Sequence, residues 1–222
     1  MKNLKIKIMK SKIQSLKNGN KKTVIKKLFL TAAVAVSSLT FAQQFGAKAG
    51  MNVSTISDEG FDDTKSKVGY YAGVFMNVPV SESFSIQPEV LYNNLGSKVS
   101  STVLGTTYSS TLNLDYVAVP VMFQYKATPQ FYLEAGPEFG FLVNAKQKFD
   151  NGSSSIVTEL DKEDFNSFNM GVGLGLGFDI SKNVGLNARY VAGFSDITKE
   201  SGPSTDAKNK NNAFQVGLNI KF

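Results

Sequence analysis

The stretch FNMGVGLGLGFDI, residues 168–180, decides the fold class. Every second residue in it is large and apolar, and the residues between are small or polar. The large set is Phe168, Met170, Val172, Leu174, Leu176, Phe178 and Ile180, and the small set is Asn169, Gly171, Gly173, Gly175, Gly177 and Asp179. Because successive side chains of a β-strand point to opposite faces, this pattern predicts a strand with one apolar face.

The same two-residue period recurs along the chain from Phe45 onwards. It is clear in the last segment, which places Phe214 and Phe222 on its apolar face. The pattern predicts eight strands, at Phe45–Val53, Val68–Val78, Phe84–Asn94, Leu112–Tyr125, Phe131–Ala145, Phe168–Ile180, Val184–Phe194 and Ala213–Phe222. In the fourth of them the apolar phase changes after Tyr116, which predicts a β-bulge near that residue.

The connections between these segments alternate in length. Three short ones lie at Pro79–Ser83, Lys126–Gln130 and Ser181–Asn183, and four long polar ones at Ser54–Lys67, Leu95–Thr111, Lys146–Ser167 and Ser195–Asn212. Short turns at one end and long loops at the other are typical of up-and-down outer-membrane barrels, whose turns face the periplasm. The sequence therefore predicts an all-β fold, an eight-stranded antiparallel up-and-down transmembrane β-barrel with both termini at the turn end.

Aromatic residues favour a membrane barrel over a soluble one. Those near the short turns are Phe45, Phe84, Tyr125, Phe131, Phe178 and Phe222, and those near the long loops are Tyr70, Tyr92, Phe141, Phe168, Phe194 and Phe214. Two such sets are expected at the two interfaces of a bilayer, with the apolar face turned to lipid. The alternative is a soluble barrel with its apolar face inward, which would leave the glycines of residues 171–177 as a weak solvent surface.

The first 42 residues differ in composition from the rest. They hold ten Lys and no acidic residue, whereas the remaining 180 hold 14 basic and 18 acidic residues, a net charge of −4. Four Lys at positions 21–27 precede an apolar run from Leu28 to Phe41, which is the pattern of a secretory signal peptide. We predict an N-terminal extension and signal peptide at 1–42, cleavage between Ala42 and Gln43, and a barrel at 43–222. A buried helix of the mature fold is the alternative for the apolar run.

The composition excludes several classes of function. The basic excess is confined to the leader, so no nucleic-acid role is indicated. The chain has no Cys and no His, and so lacks a thiolate, the commonest general base and the commonest transition-metal ligand. We predict no enzyme activity, no catalytic residue, no cofactor and no metal site. Acidic clusters at Asp58–Asp63 and Asp161–Asp164 lack the ligand spacing of known calcium loops.

Candidate site residues lie on the inward phase of the predicted strands. The charged ones are Lys48, Glu89, Glu134, Glu138 and Arg189, and Asp115 is a further candidate. An eight-stranded barrel is just wide enough for side chains to fill it, and an unpaired charge there is costly. We predict a structural network in which Arg189, the only Arg of the chain, bridges one or more of the glutamates. A proton or ion path and acid–base work by paired carboxylates are the alternatives.

Five stretches in order carry a family resemblance: FGAKAGMN (45–52), SIQPEVLY (85–92), LDYVAVP (114–120), LEAGP (133–137) and the closing strand. Over essentially all of residues 43–222 the chain resembles the PorT-like outer-membrane β-barrel family, also called the porin family. That family has prolines at the places of Pro88, Pro120 and Pro137, which we expect at bulges or strand ends because proline cannot donate to a ladder. Phe222 resembles the C-terminal aromatic that the barrel-insertion machinery reads. The resemblance implies fold and location, and no defined biochemical role.

Together these patterns predict an integral protein of the cell outer membrane of a Gram-negative bacterium. The function predicted first is a structural or interaction barrel that presents four extracellular loops and whose lumen is largely filled by side chains. The alternative is a narrow porin-like channel for ions or small solutes, although wide pores come with about 16 strands. The expected partners are outer-membrane lipid and lipopolysaccharide, the barrel-assembly machinery during insertion, and a larger outer-membrane complex. The barrel itself is predicted to be monomeric.

Overall fold

The computed structural model describes residues 43–57, 65–103, 106–197 and 209–222. The strands are β1 Gln44–Ser57, β2 Lys65–Pro79, β3 Phe84–Val103, β4 Thr106–Lys126, β5 Phe131–Asp150, β6 Ser155–Glu159, β7 Phe168–Asp179, β8 Val184–Asp196 and β9 Lys210–Lys221, with one 3-10 turn at Lys162–Asp164. The predicted signal peptide at 1–42 and Ala42 of its cleavage site lie outside the described residues.

Eight strands close into a ring in the order β1–β2–β3–β4–β5–β7–β8–β9, and each pairs antiparallel with its neighbours. The ring closes between β1 and β9, from Gly46↔Lys221 to Ser57↔Lys210. The predicted eight-stranded antiparallel barrel is confirmed. A closed sheet pairs its backbone groups internally, which is the condition for crossing a bilayer with strands. Within the described ranges, no helix has the length and apolar character needed to span a membrane.

Side-chain exposure follows the two-residue period of the sequence. On β7, Leu174 is 61% exposed while its neighbour Gly173 is buried inside the ring. Of the twelve aromatic residues assigned to the two belts, Phe131 is half-buried and the other eleven are exposed on the outer surface. The outside of the ring is therefore an apolar band between two aromatic belts, and the polar phase of the strands faces the interior.

Two of the four predicted long loops are strands instead. β3 and β4 continue past the belt as a hairpin that ends at Val103↔Thr106, and β5 continues to Asp150 and returns as β6. The loops predicted at Leu95–Thr111 and Lys146–Ser167 were therefore wrong in large part. Their polar Ser and Thr side chains indicate exposure to water, but they do not prevent ladder pairing. We call residues 98–111, 147–150 and 155–159 the loop-side extension.

A bulge lies near Tyr116 as predicted, but its extra residue is in the neighbouring strand, so the predicted phase slip within β4 was wrong. Asp115 pairs with Asn144 and Tyr116 pairs with Leu142, so Val143 of β5 is the extra residue. β4 itself has no phase slip, since Leu114 and Tyr116 are both buried inside the ring. The apparent change of phase arises because the interior becomes apolar towards the loop end.

The three strand prolines lie in the middle of their strands, which corrects the expectation of bulges or strand ends. The β2–β3 ladder is interrupted between Phe75↔Glu89 and Val78↔Ile86, where Pro88 lies. The β3–β4 ladder is interrupted opposite Pro120, and the β4–β5 ladder opposite Pro137. The register is the same on both sides of each interruption. Each proline thus removes a donor without shifting its strand.

Candidate functional site in the barrel interior

Arg189 occupies the centre of the interior. β8 turns it inward while its neighbour Tyr190 faces outward, and Arg189 is 1% exposed. Its Nε donates to Glu134 Oε1 at 2.8 Å, and Nη1 and Nη2 donate to the two carboxylate oxygens of Glu89 at 2.9 and 2.8 Å. One guanidinium therefore joins β8 to β3 and β5, with a bidentate fork that Lys does not offer.

Lys48 of β1 completes this charged layer. Its Nζ lies 2.8 Å from Glu89 Oε1, and both side chains are buried. Two cations and two carboxylates cancel in charge, which lowers the cost of holding each of them away from water. The layer, Lys48, Glu89, Glu134 and Arg189, ties together four of the eight ring strands. Contacts that span so many strands oppose slippage of register.

A layer of uncharged polar side chains lies next to the charged layer, towards the turns. Its members are Asn77, Ser85, Gln87 and Gln124, all buried. Asn77 Nδ2 donates to Gln124 Oε1 at 2.8 Å and to Gln87 Oε1 at 3.1 Å. Gln87 donates to Glu89 at 2.8 Å, and Gln124 donates to Glu134 at 2.9 Å. These amides satisfy carboxylate lone pairs that Arg189 leaves open. Sequence reasoning missed them, although their inward phase was a signal that could have found them.

The glycines of β7 make room for the large interior side chains. A Cβ on Gly177 would lie 2.1 Å from Tyr132 Cζ. A Cβ on Gly173 would lie 2.5 Å from Met122 Cε, and one on Gly175 would lie 3.0 Å from Glu134 Oε1. The glycine row therefore faces the lumen, because no other residue leaves space for these neighbours.

An apolar cluster closes the interior at the loop end, and we call it the apolar cap. Its buried members are Leu95, Leu114, Tyr116, Ala145, Phe165, Ile197 and Ala213. Phe165 and Ile197 come from the connections after β6 and β8, and both fold over the barrel mouth. The backbone holds them there: Asn166 N donates to Ile197 O at 2.8 Å, and Ile197 N donates to Asn209 O at 2.9 Å. This cap could not be predicted from the sequence, because neither connection shows a hydrophobic period.

Two predicted residues stand apart from the charged layer. Asp115 lies on the opposite side of β4 from Leu114, where it accepts hydrogen bonds from Asn94 Nδ2 at 2.5 Å and Asn144 Nδ2 at 2.9 Å. Its suggested place in the lumenal network was wrong, because strand alternation turns it outward. Glu138 faces the lumen and is buried, but it takes part in none of the ion pairs formed among the described residues.

The arrangement of the interior side chains favours a structural role over a catalytic one. Every oxygen of Glu89 and Glu134 is engaged by a cation or an amide, so neither carboxylate is placed to act on a substrate. The described part of the chain contains no group of three or more His, Cys, Asp or Glu able to hold a metal ion.

Comparison with known proteins agrees with the observed fold. The family described as outer membrane protein beta-barrel domain matches residues 41–199. No curated protein matches the chain. Ail, the attachment invasion locus protein of Yersinia pestis, is 14% identical with a TM-score of 0.48, covering 82% of this chain and 100% of that chain.

Two further solved structures are similar to the chain at comparable levels. Neisserial surface protein A is 12% identical with a TM-score of 0.46, covering 82% of this chain and 99% of that chain. OprG from Pseudomonas aeruginosa is 14% identical with a TM-score of 0.39, covering 82% of this chain and 96% of that chain. At these identities and TM-scores no residue role passes from those proteins to this one. On the matched family and the closed ring of eight strands, the chain belongs to the outer membrane protein beta-barrel domain family and is an outer-membrane protein.

Proposed function

We propose that this protein is a closed structural barrel that anchors the loop-side extension at the outer-membrane surface for interaction with other molecules. The observation that carries the proposal is the filling of the interior by the charged layer and the apolar cap. A lumen blocked by an ion network and a hydrophobic cluster has no continuous path for a solute. Function on rigid scaffolds tends to lie in the segments that project from them, and here those segments are the four loop-side connections.

The loop-side extension has the surface of an interaction element. Its β6 is exposed at all five residues and stands at the end of the strand order, so among the described residues one edge of it has no partner strand. Tyr108, Phe149 and Ile156 are 51%, 48% and 67% exposed. An exposed edge with apolar neighbours is a surface that natural proteins usually protect or use.

Membership of the PorT-like group and the partners of the barrel belong to the same proposal. The order of the five motif stretches between residues 45 and 222 supports the PorT-like assignment. The apolar band supports contact with outer-membrane lipid and lipopolysaccharide, and the aromatic Phe222, which follows β9, suits recognition by the barrel-assembly machinery. A monomeric barrel within a larger outer-membrane complex is consistent with a ring that is closed on itself.

Shortening the β3–β4 hairpin tests the interaction role. In the test variant an Asn-Gly turn replaces residues 98–111, which joins the paired residues Ser97 and Leu112. We expect normal membrane insertion and loss of the proteins that co-purify with the full chain from outer membranes in mild detergent. The matched control replaces the turn residues 127–130. If both variants keep the same co-purifying proteins, the extension is not the interaction element.

A narrow channel is the second candidate, and one observation favours it. Several buried polar atoms inside the barrel have no hydrogen-bond partner: Asn52 Oδ1, Asn93 Oδ1, Glu138 Oε2, Asn187 Nδ2 and Gln215 Nε2. Such atoms would suit a file of water molecules or small ions. The apolar cap lies across that route.

Planar-bilayer recording separates the closed barrel from the channel. We expect no steady single-channel steps from the full chain, because the charged layer and the apolar cap occupy the lumen. The double variant Phe165→Ala and Ile197→Ala removes two large side chains from the apolar cap. Steps that appear only in this variant would show that the cap closes a conducting route. Steady steps from the unmodified chain would favour the channel.

A further inference from the structure

Among the described residues, four carboxylates are buried, Glu89, Asp115, Glu134 and Glu138, against three cations, Lys48, Lys67 and Arg189. Lys67 interacts electrostatically with Asp115, apart from the charged layer. Arg189 and Lys48 together balance Glu89 and Glu134 through direct contacts. Glu138 is 7% exposed, lies two inward positions beyond Glu134 on β5, and is in none of these pairs. Nε, Nη1 and Nη2 of Arg189 and Nζ of Lys48 already contact other carboxylates. Among the described residues, Glu138 therefore has no cationic side chain to itself.

A polar neighbour of Glu138 is also incompletely bonded. Asn93 of β3 is 0% exposed, and its Nδ2 lies 3.5 Å from Glu138 Oε1. Its Oδ1 has no hydrogen-bond partner, and neither does Glu138 Oε2. Two neighbouring buried side chains thus each keep an oxygen without a hydrogen-bond partner. Buried polar atoms are rarely left in this state in native proteins.

A lone carboxylate in such a place needs a positive charge. Burial of an uncompensated ion is costly, and the usual remedies are a counter-charge or neutralisation. The excess is a single charge, so one monovalent cation restores balance where a divalent ion would overshoot. Carboxylate and amide oxygens are hard ligands that suit alkali ions. A carboxylic acid O–H would use the same amide oxygen as its acceptor.

We propose that Glu138 and Asn93 form an internal binding site for one monovalent cation, taken up either as an alkali ion or as a proton. The site lies on the loop-side of the charged layer and beneath the apolar cap. The charged groups that interact with Glu138 are Lys48 on β1, Glu89 on β3 and Arg189 on β8. The other buried titratable side chains on the inward phase are Lys67 and Tyr71 on β2, Tyr116 on β4, and Tyr132 and Glu134 on β5. The inference goes beyond the proposed function and does not depend on it.

The two sources of charge are distinguished by stability measurements on the full chain in mild detergent. The fraction of folded protein is measured during heating from its gel mobility, which differs from that of unfolded protein. The first series compares sodium, potassium and choline chloride at one ionic strength. The second series lowers the pH stepwise in choline chloride. An alkali-ion site raises the unfolding temperature by several degrees in sodium or potassium over choline. A proton site leaves the salts equivalent and raises the unfolding temperature on acidification.

Glu138→Gln is the decisive variant, because it removes the charge and keeps the shape. We expect the unfolding temperature of this variant to be independent of both the cation and the pH. It should equal the unfolding temperature that the unmodified chain reaches in its most stabilising condition. Asp161→Asn, which changes an exposed carboxylate, is the matched control and should behave as the unmodified chain. Indifference of the unmodified chain to both cation and pH would overturn the proposal, as would a Glu138→Gln variant that keeps the full dependence.

A direct measurement covers the case in which Glu138→Gln does not fold. Crystals of the unmodified protein soaked in thallium(I), an electron-rich mimic of potassium, should give an anomalous peak between Glu138 and Asn93 if the site takes an alkali ion. Absence of that peak, together with no effect of acidification on the unmodified chain, would also overturn the proposal.

Discussion

Replacing Arg189 with methionine is expected to destabilise the barrel by about 3–5 kcal/mol, the largest effect of any single substitution in the interior. Among the described residues, the variant removes the only contacts of Glu134 with a cation and half of the positive charge facing Glu89. Two carboxylates would then share the single charge of Lys48 in a compartment without water access. The measurement is the urea dependence of folded protein in detergent, read from gel mobility without heating.

A paired substitution shows whether charge or packing is lost. Arg189→Met combined with Glu134→Gln leaves Lys48 and Glu89 as a balanced pair and keeps an acceptor for Gln124. It should recover more than half of the lost stability. Lys182→Met, at an exposed turn, is the control and should have no effect. If the double variant is no more stable than Arg189→Met alone, the guanidinium acts through its shape and not through its charge.

Introducing arginine at Leu174 is expected to cost about 2–4 kcal/mol, because the side chain would enter hydrocarbon near the middle of the apolar band. Leu174 lies between Phe168 and Phe178, which belong to the two aromatic belts. The change would show as a loss of folded barrel in lipid vesicles and a lower midpoint of unfolding.

Val157 provides a matched control for that experiment. It is 57% exposed, close to the 61% of Leu174, but it lies on β6 in the loop-side extension beyond the belt. Val157→Arg should therefore leave stability unchanged. Equal effects at the two positions would mean that both apolar surfaces meet the same solvent, and the membrane orientation of the barrel would have to be abandoned.

The strands of the ring could be predicted because a half-exposed sheet forces a two-residue period on its sequence. The segment Phe168–Ile180 became β7, Phe168–Asp179, within one residue. The extension of β3 to Val103 escaped prediction, since both of its faces meet water and neither needs to be apolar. When neither face of a strand is buried, its amino-acid composition says little about which strand it pairs with.

The interior site was predictable in part for a related reason. Lys48, Glu89, Glu134 and Arg189 are charged residues on the inward phase, and a buried charge must find a partner. The spacing of the glutamates in the sequence does not show which of them stays outside the network. That depends on the orientation of the Arg189 guanidinium, which the sequence does not determine. Asp115 was misassigned because a residue next to an inward one must point outward, whatever its charge.

The three mid-strand prolines give the barrel wall an uneven stiffness. They interrupt pairing only between β2 and β5, whereas the β1–β9 and β7–β8 ladders run without a gap. We therefore expect the wall to deform more easily between β2 and β5 than at the β1–β9 and β7–β8 ladders. Under lateral pressure from the bilayer, Arg189 would hold β3 and β5 to β8 across the interior.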